Sequence, residues 1–474
     1  MTSGDRHLQV GVVLWSPLFI RSWLQTGILA KLNDNFNLTL YVPEHSRDAF
    51  QLLETEFTVR GLRLHETKLD YIVWLCRWAQ NLSRSSSFRF RLARWVLGDK
   101  YWVRPSGGLF ENFKGVLFGL LFATRAVIKS PHLPLILFPP TSLLTKWLAS
   151  TWTRREARHK DDLNLLSQND VIVVASLAQE PAIDSLLGAL KGRGVPWGFV
   201  LDNWDNLTSK IIFTGDEEFI TVMGKSSVRL GTKIHNLSAS KFWPLGLPRL
   251  EPYRLRPELW THFKPGQLKY NVLYVGYSVR HDEVHSINAL RRLSNEMGVE
   301  VNIRYRPHPG GPRDVLNGSV ELEDGIELSL SEDGERLRYG GLPPLDETYF
   351  DDIRWSDIVV GPPTTLVLEA LLTGRPVILD LNDSGNLRTN PASTSQNYEH
   401  IQELLTIPGM ISGRSSKDLV DGMMNLIRGD ASPVAQSDVA ELFDVTDTPF
   451  AEKLTLRLKK KFDKGRSAQL GDFS

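Results

Sequence analysis

The sequence predicts an α/β chain of two parallel-sheet domains facing each other across a cleft, and three observations predict it. Short apolar runs of strand length alternate with helical patterns through both halves, as at residues 10–14, 171–175, 270–277 and 376–381. Strands that alternate with helices form parallel sheets covered on both faces. Residues 246–268 interrupt this alternation with four prolines and little periodicity, as a linker between domains does. A chain of 474 residues also exceeds one ordinary domain and can bury two cores.

Residues 8–14 read as a strand, 22–32 as a helix, 36–42 as a strand, 47–57 as a helix and 58–64 as a short third strand. A helical region with breaks at Gly107-Gly108 and Pro139-Pro140 comes next. Alternation resumes with strands at 171–175, 197–201, 219–222 and 242–245 and helices at 181–191 and 226–230. These make a first domain, residues 1–250, with an insertion at 71–160. A second domain, 266–445, opens with a strand at 270–277, a helix at 282–297 stopped by Gly298, and a strand at 299–305. Polar, glycine-rich residues 310–343 hold a short strand near 326–330. A helix at 348–355 then leads to a β-α-β unit at 358–360, 365–373 and 376–381, with Gly374 as the helix C-cap. Residues 446–474 read as a closing helix and tail.

Charged residues at 23% and hydrophobic residues at 42% exclude a disordered or membrane-embedded chain. The single cysteine, Cys76, forms no intrachain disulfide, and no Cys/His cluster has zinc-ligand spacing, so a reducing compartment and no metal are expected. The polar start, residues 1–6, is unlike a signal peptide. Net charge is zero, but residues 71–160 carry fifteen Lys and Arg against three Asp and Glu, interleaved with tryptophans such as Trp74, Trp78, Trp95 and Trp102. Basic stems among aromatic rings suit an anionic membrane surface, and the apolar run 116–123 falls far short of the roughly 20 residues that span a bilayer. A cytoplasmic protein, peripheral at the inner face of the cell membrane and without a nucleic-acid partner, is expected.

The densest chemical signal is Gly361-Pro362-Pro363-Thr364-Thr365, between a buried strand and a helix. At the carboxyl end of a parallel strand a helix N-terminus offers unpaired N–H groups and positive dipole to a phosphate, and Thr364 and Thr365 stand there. As plain helix caps the same threonines would need no ligand. A second loop, Arg304-Tyr305-Arg306-Pro307-His308-Pro309, ends another strand of the same domain. Arg306 can fork onto phosphate oxygens, and His308 can donate to a departing nucleotide. In the first turn of this domain, Gly276 lets the backbone approach a ligand, and Ser278 and Arg280 can touch a diphosphate. The missing Gly-x-Gly-x-x-Gly pattern argues against a nicotinamide dinucleotide enzyme. In the first domain, Asp202-Asn203-Trp204-Asp205 follows a strand: Asp202 or Asp205 suits a general base, Trp204 a sugar face, and Lys210 an anionic group. Arg21, after the first strand, is placed to hold an anionic acceptor or donor.

Ser356-Asp357-Ile358-Val359-Val360, the threonine pair, Leu368-Glu369-Ala370 and Gly374-Arg375-Pro376-Val377-Ile378 resemble, in this order, the donor-binding domain of GT-B glycosyltransferases. The resemblance is close over 356–378 and looser over the rest of the second half. It implies two Rossmann-like domains, a nucleotide-sugar donor as cosubstrate, no resident cofactor or metal, and Glu369 on the ribose hydroxyls. Retaining members often carry a glutamate where this chain has Gly361. The threonine pair and the His-Pro pair are instead similar to the loops of inverting sialyltransferases, Kdo transferases and CDP-glycerol glycerophosphotransferases. Residues 201–210, with the later Gly246-Leu247-Pro248-Arg249 turn and Tyr253, resemble segments of bacterial surface-carbohydrate biosynthesis proteins. The expectation is a metal-independent, inverting glycosyltransferase acting on a glycan or lipid-linked acceptor in surface polysaccharide biosynthesis. A CDP-polyol phosphotransferase, a sugar-nucleotide epimerase of the same fold, and a non-catalytic glycan-binding protein are the alternatives.

Overall fold

Residues 7–16, 18–24, 26–64, 159–175, 181–211, 213, 215–277, 282–308, 322–330, 347–383, 390–444 and 446–463 are described by the computed structural model. The basic aromatic insertion expected at 71–160 lies outside them, apart from its last two residues.

Among the described residues the first half holds seven strands: β1 (Gln9–Val13), β2 (Asn37–Pro43), β3 (Thr58–Leu62), β4 (Val171–Ala175), β5 (Trp197–Val200), β6 (Phe219–Val222) and β7 (Phe242–Pro244). They form one sheet in the order β3-β2-β1-β4-β5-β6-β7, parallel throughout. The second half holds β8 (Lys269–Val275), β9 (Glu300–Arg306), β10 (Ile326–Leu328), β11 (Ile358–Gly361), β12 (Val377–Asp380) and β13 (Ile411–Gly413). These form a second parallel sheet, β10-β9-β8-β11-β12-β13. In both sheets the first strand is central and the order reverses beside it, which is the Rossmann-like pattern. Two such sheets in one chain make the GT-B architecture, an α/β fold.

Burial on both faces explains why the strands read as unbroken apolar runs: all five residues of β4, Val-Ile-Val-Val-Ala, are buried. Each such Val or Ile contributes about 1.5–3 kcal/mol relative to exposure.

The helices, in chain order, are α1 (Leu18–Leu24), α2 (Ile28–Asn35), α3 (Gln51–Glu54), α4 (Lys160–Leu166), α5 (Pro181–Gly192), α6 (Lys225–His235), α7 (Glu251–Arg254), α8 (Glu283–Met297), α9 (Glu347–Trp355), α10 (Thr365–Leu372), α11 (Pro391–Asn397), α12 (Glu399–Leu405), α13 (Ser416–Arg428), α14 (Gln436–Leu442) and α15 (Phe450–Leu458). The single helix expected at 22–32 is two helices, because the chain turns at Gly27 with φ 73°. The helix expected at 47–57 is a 3-10 run, Glu44–Phe50, kinked at Ser46 and followed by the single turn α3. The helix expected at 226–230 runs on to His235, where Asn236 ends it in a left-handed conformation.

The proline-rich stretch 246–268 is packed rather than loose. It winds into the 3-10 turn Pro248–Leu250, α7 and the turn Pro257–Leu259, and Leu247, Leu250, Tyr253 and Leu259 are buried in a core shared with Phe350, Val367 and Leu371 of the second half. α15 crosses back and packs beside α2, placing Phe450, Leu454 and Leu458 in the first-half core with Leu29 and Leu32. Glu251 ties the two crossings together: its carboxylate accepts from Arg254 at 2.7 Å and from the Phe450 amide at 3.1 Å. No helix among the described residues is long and apolar enough to cross a membrane.

Candidate functional site

In the second sheet the order reverses between β8 and β11, whose connections leave toward opposite edges and open a crevice at the strand carboxyl ends. Three loops meet there. The Gly276 amide donates to the Arg306 carbonyl at 2.8 Å, and a Cβ on Gly276 would stand 2.7 Å from the His308 nitrogen. A Cβ on Gly361 would stand 2.4 Å from the Val275 carbonyl oxygen. Side chains at either glycine would force the three strand ends apart, so the loops holding Gly276, His308 and Thr364 are compressed into one site.

Two helix N-termini point toward this crevice, and they differ. At α8 the Asp282 side chain caps the helix by accepting from the His285 amide at 3.0 Å. Glu283, in the first turn and buried, accepts from the Tyr277 amide at 2.8 Å and from the Tyr305 hydroxyl. Two carboxylates thus answer the positive end of this helix, and a phosphate placed on it would meet like charge. Burial pushes the Tyr305 hydroxyl pKa up, and the Glu283 charge and hydrogen bond push it further. The Tyr274 hydroxyl, 2.6 Å from Asp380 at the end of β12, is raised in the same way by burial and then by Asp380.

At α10 no acidic residue occupies the first turn, and Thr364 holds the N-cap position in extended conformation without making a cap bond. Its Oγ1 is buried and has no hydrogen-bond partner among the described residues. A hydroxyl in that condition costs about 1–3 kcal/mol unless something supplies a partner. Thr365 is half-buried beside it. Of the two helix ends, α10 is the one whose dipole and hydroxyl have no answering charge.

The structure relocates several residues that the sequence assigned to a ligand. Arg306 is 3% exposed and turned inward: its Nη1 lies 2.6 Å from Asp352, 3.0 Å from Thr348 and 3.3 Å from Ser329, and its guanidinium stacks 3.5 Å over Tyr349. It braces β9 against α9, and freeing it for a phosphate would cost the buried Asp352 carboxylate the closer of its two cations, leaving Arg304 at 3.2 Å. Glu369, expected on the ribose, is 2% exposed and already engaged at both oxygens, by Arg249 Nη2 at 3.1 Å and by the Tyr253 hydroxyl at 2.6 Å. Trp204, expected under a sugar, is buried with its ring edge-on to His400 at 4.4 Å. His308 is half-buried at the crevice, where the sequence placed it. Ser278 and Arg280 lie outside the described residues, and Arg21 in α1 and Lys210 at the end of a π turn, Asn206–Lys210, have side chains outside the description.

Asp202 and Asp205 lie on the loop after β5, Asp202 buried and Asp205 half-buried. This loop touches the second half directly. Asn203 accepts from Arg249 Nη1 at 2.6 Å, while the Thr208 hydroxyl is in hydrogen-bond contact with His400 Nδ1 on α12. Burial pulls the Arg249 pKa down, but the charges of Glu369 and Asp202 more than offset it and the guanidinium is held protonated. Tyr253 is pushed well up, by burial and then by Glu369. Sequence reasoning gave no role to Glu283, Asp352 or His400, and left Arg249 and Tyr253 as a bare motif. The signal for Arg249 was its place in the Gly-Leu-Pro-Arg turn; for the others no local pattern marks them.

No protein-family model and no curated protein matches the chain. Among solved structures it is similar to a UDP-N-acetylglucosamine 2-epimerase from Rickettsia bellii, at 11% identity over 97% of this chain and 98% of that one, TM-score 0.47. It is similar to Arabidopsis thaliana UGT89C1 complexed with UDP, at 11% over 96% and 99%, TM-score 0.47. It is also similar to the lipopolysaccharide outer core galactosyltransferase WaaB, at 8% over 95% and 99%, TM-score 0.45. Likenesses this distant leave the activity to the site itself.

Proposed function

We propose that the chain is a nucleotide-sugar-dependent glycosyltransferase whose donor diphosphate sits at the α10 N-terminus. The observation that carries this reading is the buried, partnerless Thr364 hydroxyl at an uncompensated helix end, beside the order reversal of a parallel sheet. In the reaction an acceptor hydroxyl attacks the anomeric carbon, the bond from that carbon to the diphosphate oxygen breaks, and the nucleotide diphosphate leaves with the electron pair. The α10 amides, Thr364, Thr365 and His308 stabilise the charge that develops on it. Asp202 or Asp205 takes the proton from the acceptor, and attack opposite the leaving group inverts the anomeric centre. Neither Arg306 nor Glu369 has a part in donor contact on this reading. No metal or resident cofactor is required, because helix dipole and hydroxyls supply the stabilisation.

The basic aromatic composition of residues 71–160 supports a lipid-linked or surface-glycan acceptor at an anionic membrane. Described residues on either side of this stretch meet where the Arg63 amide donates to Asp162 at 3.0 Å, just past the carboxyl end of β3. A thermal-shift screen with UDP, GDP, CDP, CMP, ADP and their sugars tests the donor site: one nucleotide series should raise the midpoint in the wild type and raise it less in Thr364→Val. No response to any of them overturns the reading. With the responding donor, release of nucleoside diphosphate identifies sugar transfer, release of CMP from a CDP-polyol identifies phosphate transfer, and a sugar epimer without release identifies an epimerase. Sedimentation with anionic vesicles that fades with added salt tests the membrane part.

A further inference from the structure

One chain of polar contacts passes between the halves through the helix that carries the candidate phosphate site. Glu369 is the fifth residue of α10, so its Cα lies only about 6 Å along the axis from that of Thr365. Its carboxylate is buried and engaged at both oxygens, by Tyr253 and by Arg249. Arg249, from the 3-10 turn after β7, is about one-third exposed at 33%, and spends its other terminal nitrogen on Asn203. Asn203 is the neighbour of Asp202 and lies two residues before Asp205.

We propose that Arg249 is a positioning residue that couples occupancy of the α10 N-terminus to the loop carrying Asp202 and Asp205, with Glu369 on one side and Asn203 on the other; this rests on the phosphate site proposed above. Leu366–Leu372 are all buried, so α10 moves as one body when its end is drawn toward an anion. A buried carboxylate cannot release its cation without stranding its own charge, so Arg249 follows Glu369. The planar guanidinium spans two acceptors at fixed separation and passes the displacement to Asn203. An ammonium could satisfy one acceptor at a time. Glu369 thereby serves the donor site from behind.

Hydrogen exchange of the full chain, with UDP and with inorganic pyrophosphate as probes, tests this. In the wild type each bound probe should slow exchange about threefold or more at 361–366 and also at 201–208. R249K keeps a charge opposite Glu369, and should retain the slowing at 361–366 while losing it at 201–208. E369Q should do the same. Y253F leaves the Arg249 fork intact and should retain both. Slowing at 361–366 without slowing at 201–208 in the wild type, or slowing at both in R249K and E369Q, overturns the coupling and leaves the phosphate site standing. No slowing at 361–366 with either probe overturns the phosphate site and the coupling together.

Discussion

α8 and α10 both direct their N-termini at the crevice between β8 and β11, yet one is answered by the protein and the other is not. At α8, Asp282 and Glu283 hold the first turn and the Tyr277 amide. At α10, Thr364 stands at the cap position without a bond and no acidic residue occupies the first turn. The helix dipole is the same at both ends and is worth about 0.3–1 kcal/mol to an anion, up to about 2 when partly buried. On the proposed reading the local side chains therefore decide which end takes a phosphate, and they reverse the usual dinucleotide arrangement, where the helix after the first strand receives it.

The largest test of this contrast is Glu283→Ala, which leaves the Tyr305 hydroxyl and the Tyr277 amide without their shared acceptor. It should lower unfolding stability by about 3 kcal/mol in urea titration. A change near zero would mean that the carboxylate does not close the α8 end. Thr364→Val should weaken pyrophosphate or nucleotide binding about tenfold, or about 1.4 kcal/mol, while the ligand-free thermal midpoint holds or rises, because a buried unbonded hydroxyl has been removed. Equal affinity in wild type and variant would break the contrast from the other side.

Tyr305 gives a pH signature. Its pKa in the folded protein is raised above the unfolded value of about 10, so above that pH the unfolded chain loses a proton that the native one keeps. Stability should fall with rising pH from about 10, by up to about 1.4 kcal/mol per unit for this group, and Tyr305→Phe should flatten part of that slope. The smallest effect is expected from Asp282→Ala, about 1 kcal/mol from the lost cap, with the pyrophosphate response of the protein unchanged. A lost response would show that α8 takes part in anion binding after all.

The strands were legible because a parallel sheet buries both faces, so β1, β4 and β8 stand out as apolar runs without any partner being known. The broken helices were not legible to the same degree. Gly27 reads as a tolerated glycine within a helical pattern, and the 3-10 run at 44–50 has too few residues for periodicity to register. At the candidate site, the sequence singles out Thr364 by its place in a Gly-Pro-Pro-Thr-Thr loop between strand and helix, and the structure adds that its hydroxyl makes no cap bond. Arg306 could not be judged, since its partner Asp352 lies 46 residues further on and only the folded chain shows that the charge is already taken. Glu369 is a similar case: its partners Arg249 and Tyr253 are more than a hundred residues away in sequence. A charged residue at a plausible position reveals its type, while its availability depends on contacts that sequence spacing does not record.

The return of α15 to the first half bears on the order in which the molecule can be completed. A ribosome finishes every strand of the second sheet before it supplies Phe450, Leu454 and Leu458, which are fully buried against the first-half core. Until then Leu29 and Leu32 lack part of their cover, and the earlier-made half waits on the later-made one. Co-translational folding is thus out of sequence here: the second sheet can close on its own schedule, and the first is sealed only when residues 450–458 have been synthesised.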